Sequence, residues 1–404
     1  MMTELEKLRE KIEDEEGLFI PVEVDERVKD TIADLGYSCS ETAINNAWKE
    51  LKRNYGSGSF EEMYRNECQI VAYLRYYFFL NYPVIKWILL KNLERGTNII
   101  PDGLINVLDY GAGPGTASLA ICDFLKKAKD SGVYETIRVK LYYDELRGFF
   151  GECYKKMLRE HEIIVKMRYV LERGNWYRKD FYNIILASYV LSELTNEALD
   201  EFLEKAYKSL KAGGYLIIID SAYENARRWT GIYFGLNKGR FKIIDASGPL
   251  CFDRDCTLWG TCYKMSIRGK ELRTPAGMTT EMKKSFEDKN KKRGKTYWVH
   301  LVLRKEEYTF VDPSRVEEHI GRDNFITSGW VIEKKPTERA ENMSICNGLG
   351  RCNLALWRER DFSGQSEDIS VGDILTIEGE YRGRPFDNLP SVNVIRVIEH
   401  IKKR

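Results

Sequence analysis

The stretch Val107-Leu-Asp-Tyr-Gly-Ala-Gly-Pro-Gly-Thr-Ala117 decides how the rest of the chain is read. The apolar run Ile105-Asn-Val-Leu-Asp109 reads as a buried strand ending in an acid, and Thr116 to Lys127 has helical spacing. Between them lie Gly111, Gly113 and Gly115. Glycine lets the backbone turn sharply and approach a ligand, and the following helix N-terminus offers N–H groups. A lone glycine triplet says little; a strand before it and a helix after it give it meaning.

Downstream, Ile137 to Tyr143 alternates like a strand and is followed by Asp144 and Glu145, placed to accept hydrogen bonds from ribose hydroxyls. Asp144 is the more strand-terminal of the two and is preferred. Asn183 to Ser188 and Tyr215 to Asp220 read as buried strands. Asn196 to Leu210 reads as a helix stopped at Gly213-Gly214, and Tyr297 to Arg304 as a late strand. Strands alternating with helices predict an α/β fold with a doubly wound, Rossmann-like parallel sheet.

Two other regions flank it. Residues 1–100 read as helical: Thr3 to Glu16, Ser40 to Arg53 with Ser40 or Thr42 as cap, and an aromatic-rich stretch from Phe60 to Leu93 broken at Pro83. After residue 320, five short strands are expected: Phe325–Glu333, Asn342–Cys346, Cys352–Arg358, Ile374–Glu380 and Val392–Glu399. Five strands with no strong helix predict a small all-β barrel of the OB-fold kind. The expected domains are therefore a helical region over 1–100, an α/β domain over 101–312 with a cysteine-rich insertion at 247–296, and a barrel over 320–404.

The 404 residues carry a net charge of +1, which excludes a polycation. The charge is uneven. Met1 to Ser40 holds 5 basic and 12 acidic residues, whereas Lys264 to Lys305 holds 13 basic and 4 acidic. A basic block of this kind is the usual footprint of a phosphate-rich partner. The most apolar stretch, Val71 to Leu90, is interrupted by Arg75, Asn81 and Lys86, so no membrane partner is expected. No export signal is visible, so a cytoplasmic location and a reducing environment are expected.

Cys251, Cys256 and Cys262 fall within twelve residues. Reduced thiolates this close are natural metal ligands, and Cys346 or Cys352 would supply a fourth. Spacings of four and five residues favour an iron–sulfur cluster over zinc, which remains the alternative. Cys39, Cys68, Cys122 and Cys153 are isolated and read as buried packing, and His300 as a core histidine.

The form Asp-x-Gly-x-Gly-x-Gly-Thr at Asp109–Thr116 resembles motif I of class I methyltransferases. Ala187-Ser-Tyr-Val-Leu-Ser-Glu-Leu194 sits where such enzymes hold catalytic groups, and Ser188, Tyr189 and Glu193 are its polar candidates. It has no Asn/Asp-Pro-Pro-aromatic signature, so catalytic residues are unassigned. Motif I, this serine–glutamate segment and the loop Gly248-Pro-Leu-Cys-x4-Cys-x5-Cys262 together resemble the methyltransferase-like family associated with the mitochondrial small ribosomal subunit, which has bacterial and archaeal members. The resemblance covers about residues 65 to 360. It implies S-adenosylmethionine at Asp109, Gly111, Ala112, Gly113, Gly115, Thr116, Asp144 and Ser188. It further implies a 4Fe-4S cluster on Cys251, Cys256, Cys262 and Cys346, and a role with the small ribosomal subunit and its rRNA in assembly or translation initiation. The chain departs from the family at Cys251-Phe-Asp, where Cys-Pro-His is usual, and at Thr257, where proline is usual.

The C-terminal segments around Ser344–Trp357 and Val371–Gly379 resemble single-strand-binding OB-folds of the replication protein A type. There Trp357, Tyr381, Arg382, Arg384 and Phe386 are candidates to stack bases and track a backbone. Two further readings stay open: an active RNA or protein methyltransferase, and a single-strand nucleic-acid-binding protein with an inert Rossmann domain and structural zinc. A monomer is expected.

Overall fold

A computed structural model describes residues 3–13, 20–57, 63–94, 96–101, 103–159, 176–221, 241–247, 275–293, 298–306, 325–336, 340–346, 351–357, 368–370, 373–383 and 391–401. The expected strands all form. β1 (Gly103–Tyr110), β2 (Ile137–Asp144), β3 (Tyr182–Ser188), β4 (Leu210–Ser221), β5 (Phe241–Ser247) and β6 (Trp298–Lys305) make a six-stranded sheet in the order β2-β1-β3-β4-β6-β5. β1 pairs in parallel with β2 and β3, and β6 runs antiparallel between β4 and β5. Ile105, Val107, Leu108, Ile184, Ile185 and Leu186 are buried. Such continuous apolar runs belong to strands covered on both faces.

By its internal contacts the chain divides into two units. The first comprises residues 1–91, 99–194 and 266–297. It holds α1 (Glu4–Glu13), α2 (Val22–Asp34), α3 (Glu41–Ser57), α4 (Glu67–Ala72) and α5 (Phe78–Glu94), the last ending just beyond the unit. It also holds β1, β2 and β3 with α6 (Thr116–Asp130) and α7 (Gly148–Leu158). Ser40 caps α3, its hydroxyl accepting from Ala43 N–H at 3.2 Å. Pro83 does not break the aromatic segment as expected; it lies inside α5. The irregularity falls earlier, in a π-helical turn at Tyr73–Tyr77. Phe78, Phe79, Tyr82, Val84 and Ile85 are all buried around the proline. Their burial outweighs a proline cost of about 3 kcal/mol in a helix interior.

Cys39 and Cys68 also depart from expectation. They are joined in a disulfide rather than packed as separate thiols. Cys122 and Cys153 are buried free cysteines, as their apolar surroundings predict.

The second unit comprises residues 92–98, 195–265 and 298–404. In it α8 (Asn196–Ser209) begins at Thr195, whose hydroxyl accepts from Ala198 N–H. The helix ends at Ser209, and Gly213-Gly214 lies within β4 instead of forming the helix stop. Pairing with β6 from Tyr215 onward claims the strand's hydrogen bonds. His300 is fully buried with Nε2 3.1 Å from Asp245 Oδ2, an oxygen that also accepts from the Asn92 amide at 3.0 Å.

The C-terminal strands β7 (Phe325–Pro336), β8 (Ala340–Cys346), β9 (Arg351–Trp357), β10 (Ile374–Gly383) and β11 (Ser391–Ile401) close a five-stranded barrel in the order β10-β11-β9-β8-β7. All neighbours are antiparallel except β9 and β11. Val331, Ile345, Leu354, Leu375, Ile377 and Val394 fill it. Glu399 of β11 accepts from the buried Lys242 of β5 and from Arg304 of β6.

Candidate functional site

The site lies in the first unit, where β1 ends and α6 begins. Gly111, Gly113 and Gly115 all adopt left-handed backbone, at φ +65°, +53° and +89°. Each needs it for a different reason. A Cβ on Gly111 would stand 2.7 Å from Cβ of Val190, so glycine here admits the chain that follows β3. A Cβ on Gly115 would meet the Tyr154 ring at 2.8 Å. Gly113 faces open space, with nothing within 4 Å of its missing side chain.

The turn is fastened to the end of β2. Gly111 and Ala112 donate their N–H groups to the Asp144 carbonyl at 2.8 and 3.2 Å. Gly113 donates to the Glu145 carboxylate at 2.8 Å, and so does Arg147 N–H on the other oxygen. The N–H groups of Gly111, Ala112 and Gly113 thus brace the glycine turn against the end of β2. Burial raises the Glu145 pKa above its ordinary value, while these two N–H groups oppose the rise.

Asp109 is 1% exposed. Its carboxylate accepts from Ser118 N–H at 3.2 Å and from the Ser118 hydroxyl at 2.7 Å, pinning β1 to the first turn of α6. The Ser118 hydroxyl lies 2.9 Å from that of Tyr154. Burial pushes the Asp109 carboxyl up to about 7, against the pull of the Ser118 hydrogen bonds.

A cavity of about 310 Å³ opens at this turn. Of the predicted residues, Asp109, Gly111, Ala112, Gly113, Thr116, Asp144 and Ser188 line it; Gly115 lies against Tyr154 instead. Tyr189 and Glu193, the polar candidates after β3, line it too. Tyr189 is held at φ +58°, a sparsely populated conformation for a non-glycine residue that clusters at functional sites.

The facing wall is absent from the sequence reading. Tyr55 of α3, Tyr64 and Tyr73 of the π-turn line the cavity with Phe150 of α7. Tyr64 is a second strained residue, at φ +59°. The hydroxyls of Tyr55 and Tyr64 are hydrogen-bonded to each other. Burial raises both their pKa values well above the ordinary tyrosine value, reinforced by neighbouring tyrosines and Glu193, so both stay protonated. Burial pushes Tyr73 up to about 12. Arg147 sets its guanidinium 4.9 Å over the Tyr64 ring and donates to the Met63 carbonyl at 2.6 Å. The π-turn was the findable signal, since such turns recur at functional sites.

Cys251, Cys256 and Cys262 lie outside the described residues, as do Arg384 and Phe386. Cys346 is the last residue of β8. Cys352 is fully buried in the barrel core, which suits packing rather than ligation. Among the described residues no group of three or more histidine, cysteine or acidic side chains is placed to hold a metal. Trp357 ends β9, and Tyr381 and Arg382 lie on β10. The basic stretch Lys283–Lys295 falls largely on α9 (Thr280–Arg293), which packs in the first unit through Met282 and Phe286. No helix among the described residues is long and apolar enough to cross a membrane.

Several solved structures are similar. A TehB-like S-adenosylmethionine-dependent methyltransferase from Corynebacterium glutamicum is 13% identical, with 54% of this chain and 88% of that chain covered at a TM-score of 0.31. A putative sarcosine dimethylglycine methyltransferase from Galdieria sulphuraria is 13% identical, covering 55% and 86% at 0.33. The N-methyltransferase NodS from Bradyrhizobium japonicum, solved with S-adenosyl-L-homocysteine, is 11% identical, covering 56% and 86% at 0.31. No curated protein matches the sequence. Residues 67–229 match the family described as mitochondrial small ribosomal subunit Rsm22, a description at odds with the cytoplasmic location expected from sequence. The matched segment runs from α4 through the glycine turn to residues just beyond β4.

Proposed function

We infer that this chain is an S-adenosylmethionine-binding, methyltransferase-like factor of the small ribosomal subunit. One observation carries the reading: within the family-matched segment, the glycine turn and the acid-tipped end of β2 border one cavity of about 310 Å³. That volume is at the lower end of the range for small-molecule sites. The residues present fit the cofactor. Gly113 leaves open space where a side chain would stand, and Asp144 ends β2 as the ribose acceptor of dinucleotide-binding folds does. Asp109 acts at one remove, holding the turn through Ser118. S-adenosylmethionine, when bound, supplies an electrophilic methyl group. Asp144 orients it, Gly113 admits it, and Ser188 and Tyr189 border it.

Ribosomal RNA is the partner that the basic α9 and the barrel suit. The barrel's strand order, with β9 and β11 its one parallel pair, supports an OB-type reading and a backbone-tracking surface on it. The 4Fe-4S cluster on Cys251, Cys256, Cys262 and Cys346 belongs to this reading on cysteine spacing and family resemblance, with zinc as its competitor. Anaerobic purification with iron, sulfide and zinc analysis separates the two: about four irons per chain fits the cluster, and a single zinc removes it.

The test of the main reading is calorimetric titration with S-adenosylmethionine, followed by co-sedimentation with small ribosomal subunits. Micromolar binding that Gly113→Trp abolishes, together with co-sedimentation lost in high salt, is the expected result. A chain that binds neither cofactor nor subunit sinks it.

A further inference from the structure

The Cys39–Cys68 disulfide sits beside the turn that carries Tyr64. Cys39 directly precedes Ser40, the cap of α3, and Cys68 lies in the first turn of α4. Both cysteines are half-buried, and a disulfide within reach of solvent is open to thiol exchange. Cys122, Cys153 and Cys352 are free thiols with no exposed surface. Among these five cysteines, thiol–disulfide chemistry therefore falls on the Cys39–Cys68 pair.

Residues 63–66 form the turn into α4, and the Asn66 side chain caps that helix by accepting from Gln69 N–H at 3.0 Å. Within the turn, Tyr64 is held at φ +59°. Such a backbone persists in a tyrosine only where its surroundings over-determine it. Here the restraints come from two sides. On the cavity side, the Tyr55 hydroxyl, the Phe150 ring and the Arg147 guanidinium hold the Tyr64 side chain. On the helix side, Arg65 N–H donates to the Gln69 side chain at 2.6 Å, and the disulfide fixes α4 at Cys68. Two contacts tie α3 to the following helix without sulfur: the Gln69 amide donates to Glu50 at 2.9 Å, and the Trp48 and Tyr76 rings lie 5.1 Å apart. Breaking the disulfide thus frees the turn while leaving the two cysteines close enough to rejoin.

We propose that Cys39 and Cys68 form a reversible redox switch that sets the backbone of Tyr64, and through it the tyrosine wall of the cavity. Its reductant is a dithiol. One dithiol sulfur attacks as a thiolate, forming a mixed disulfide and releasing the other protein sulfur as a thiolate. The second dithiol sulfur then displaces the remaining protein sulfur. Cys39 and Cys68 end as protonated thiols, and the dithiol leaves as a disulfide, having given up two electrons and two protons. In the reduced chain the start of α4 loses its covalent tie, Tyr64 relaxes toward ordinary backbone, and the wall loosens. The consequence for the cavity, weaker retention of S-adenosylmethionine, rests on the cofactor reading above; the switch itself does not.

The experiment is amide hydrogen exchange of the full chain, oxidised and in excess dithiothreitol, with thiols counted by alkylation and intact mass. Reduction is expected to yield two new thiols in a chain that keeps its circular dichroism, and to speed exchange of the Arg65 and Gln69 amides about tenfold. Removing the dithiothreitol and reoxidising restores the slow rate. Cys39→Ser with Cys68→Ser should exchange at the fast rate in either buffer; the wild-type comparison stands even where that variant does not fold. A disulfide that resists dithiothreitol until the chain is denatured overturns the proposal, as does reduction that leaves these amides unchanged or unfolds the whole chain. Calorimetry with S-adenosylmethionine is expected to show about fivefold weaker binding by the reduced chain. Equal affinity in the two forms overturns the link to the cavity. Binding by neither form overturns the cofactor reading instead, and the exchange rates still judge the switch.

Discussion

The two walls of the cavity are built on different principles. The glycine-turn wall is made of backbone: three left-handed residues, N–H groups spent on the end of β2, and one buried carboxylate tying strand to helix. The tyrosine wall is made of side chains drawn from α3, a short turn, the π-helix and α7, held by ring contacts and the hydrogen bond between the Tyr55 and Tyr64 hydroxyls. A backbone wall leaves no room for an added atom at Gly111 or Gly115 but is indifferent to most side chains nearby. A side-chain wall tolerates small changes one at a time and depends on the helices that carry it.

The largest expected effect tests the carboxylate of the first wall. Asp109 has its folded pKa raised from 3.8 to about 7 by burial. Below about pH 4 the group is protonated in both states, and its contribution is fully present. As pH rises toward 7 the unfolded chain releases the proton first, so stability falls, by about 4 kcal/mol in all. Asp109→Asn cannot titrate. Its urea-unfolding free energy is expected to gain on wild type steadily between pH 4 and 7; parallel pH profiles would show that Asp109 titrates normally.

The disulfide tests the second wall. Cys39 and Cys68 enclose the segment that carries Tyr55 and Tyr64. Replacing both by serine removes a cross-link worth about 3.5 kcal/mol by loop entropy. Thermal unfolding under reducing and oxidising conditions checks this, since only wild type should respond to reductant. A double-serine variant as stable as oxidised wild type would separate the tyrosine wall from the bridge.

Next comes the glycine series. Gly111→Ala sets a methyl against Val190 at positive φ and is expected to cost about 3 kcal/mol. Gly113→Ala carries only the backbone cost, about 1 kcal/mol. Equal losses in chemical denaturation would mean that the chain after β3 yields to the turn. The smallest effect belongs to Tyr55→Phe, about 1 kcal/mol for leaving the Tyr64 hydroxyl without its partner. Tyr55→Phe with Tyr64→Phe should cost less than the two single changes added together, as a double-mutant cycle will measure.

The first wall was legible in the sequence because its physics is local. Asp109 through Thr116 are consecutive, and Asp144 follows the next strand. The five barrel strands were legible for a similar reason, apolar alternation between turn residues. What escaped is non-local. Nothing adjacent to Tyr55 says that it will meet Tyr64, and the left-handed backbone of Tyr64 and Tyr189 is imposed by packing against local preference. Pro83 misled because its local penalty is real and was outweighed by burial on every side. Gly213-Gly214 misled because the backbone is already extended at Leu210, where α8 gives way to β4. Cys39 and Cys68 looked isolated because 29 residues separate them in the chain and the fold brings them together.

The packing of α9 has a consequence for how the chain is made. Phe286 and Ser285 reach the π-turn residue Tyr76, with the Ser285 and Tyr76 hydroxyls 3.1 Å apart across 209 residues of sequence. The helices that shape the tyrosine wall are therefore synthesised long before the side chains that complete them. β6 likewise enters the sheet between β4 and β5 only after both have been made. Contacts of such long sequence separation slow folding and leave apolar surface exposed during synthesis. A nascent chain that ends before residue 280 has the glycine turn but not yet the Ser285 and Phe286 side chains that meet Tyr76.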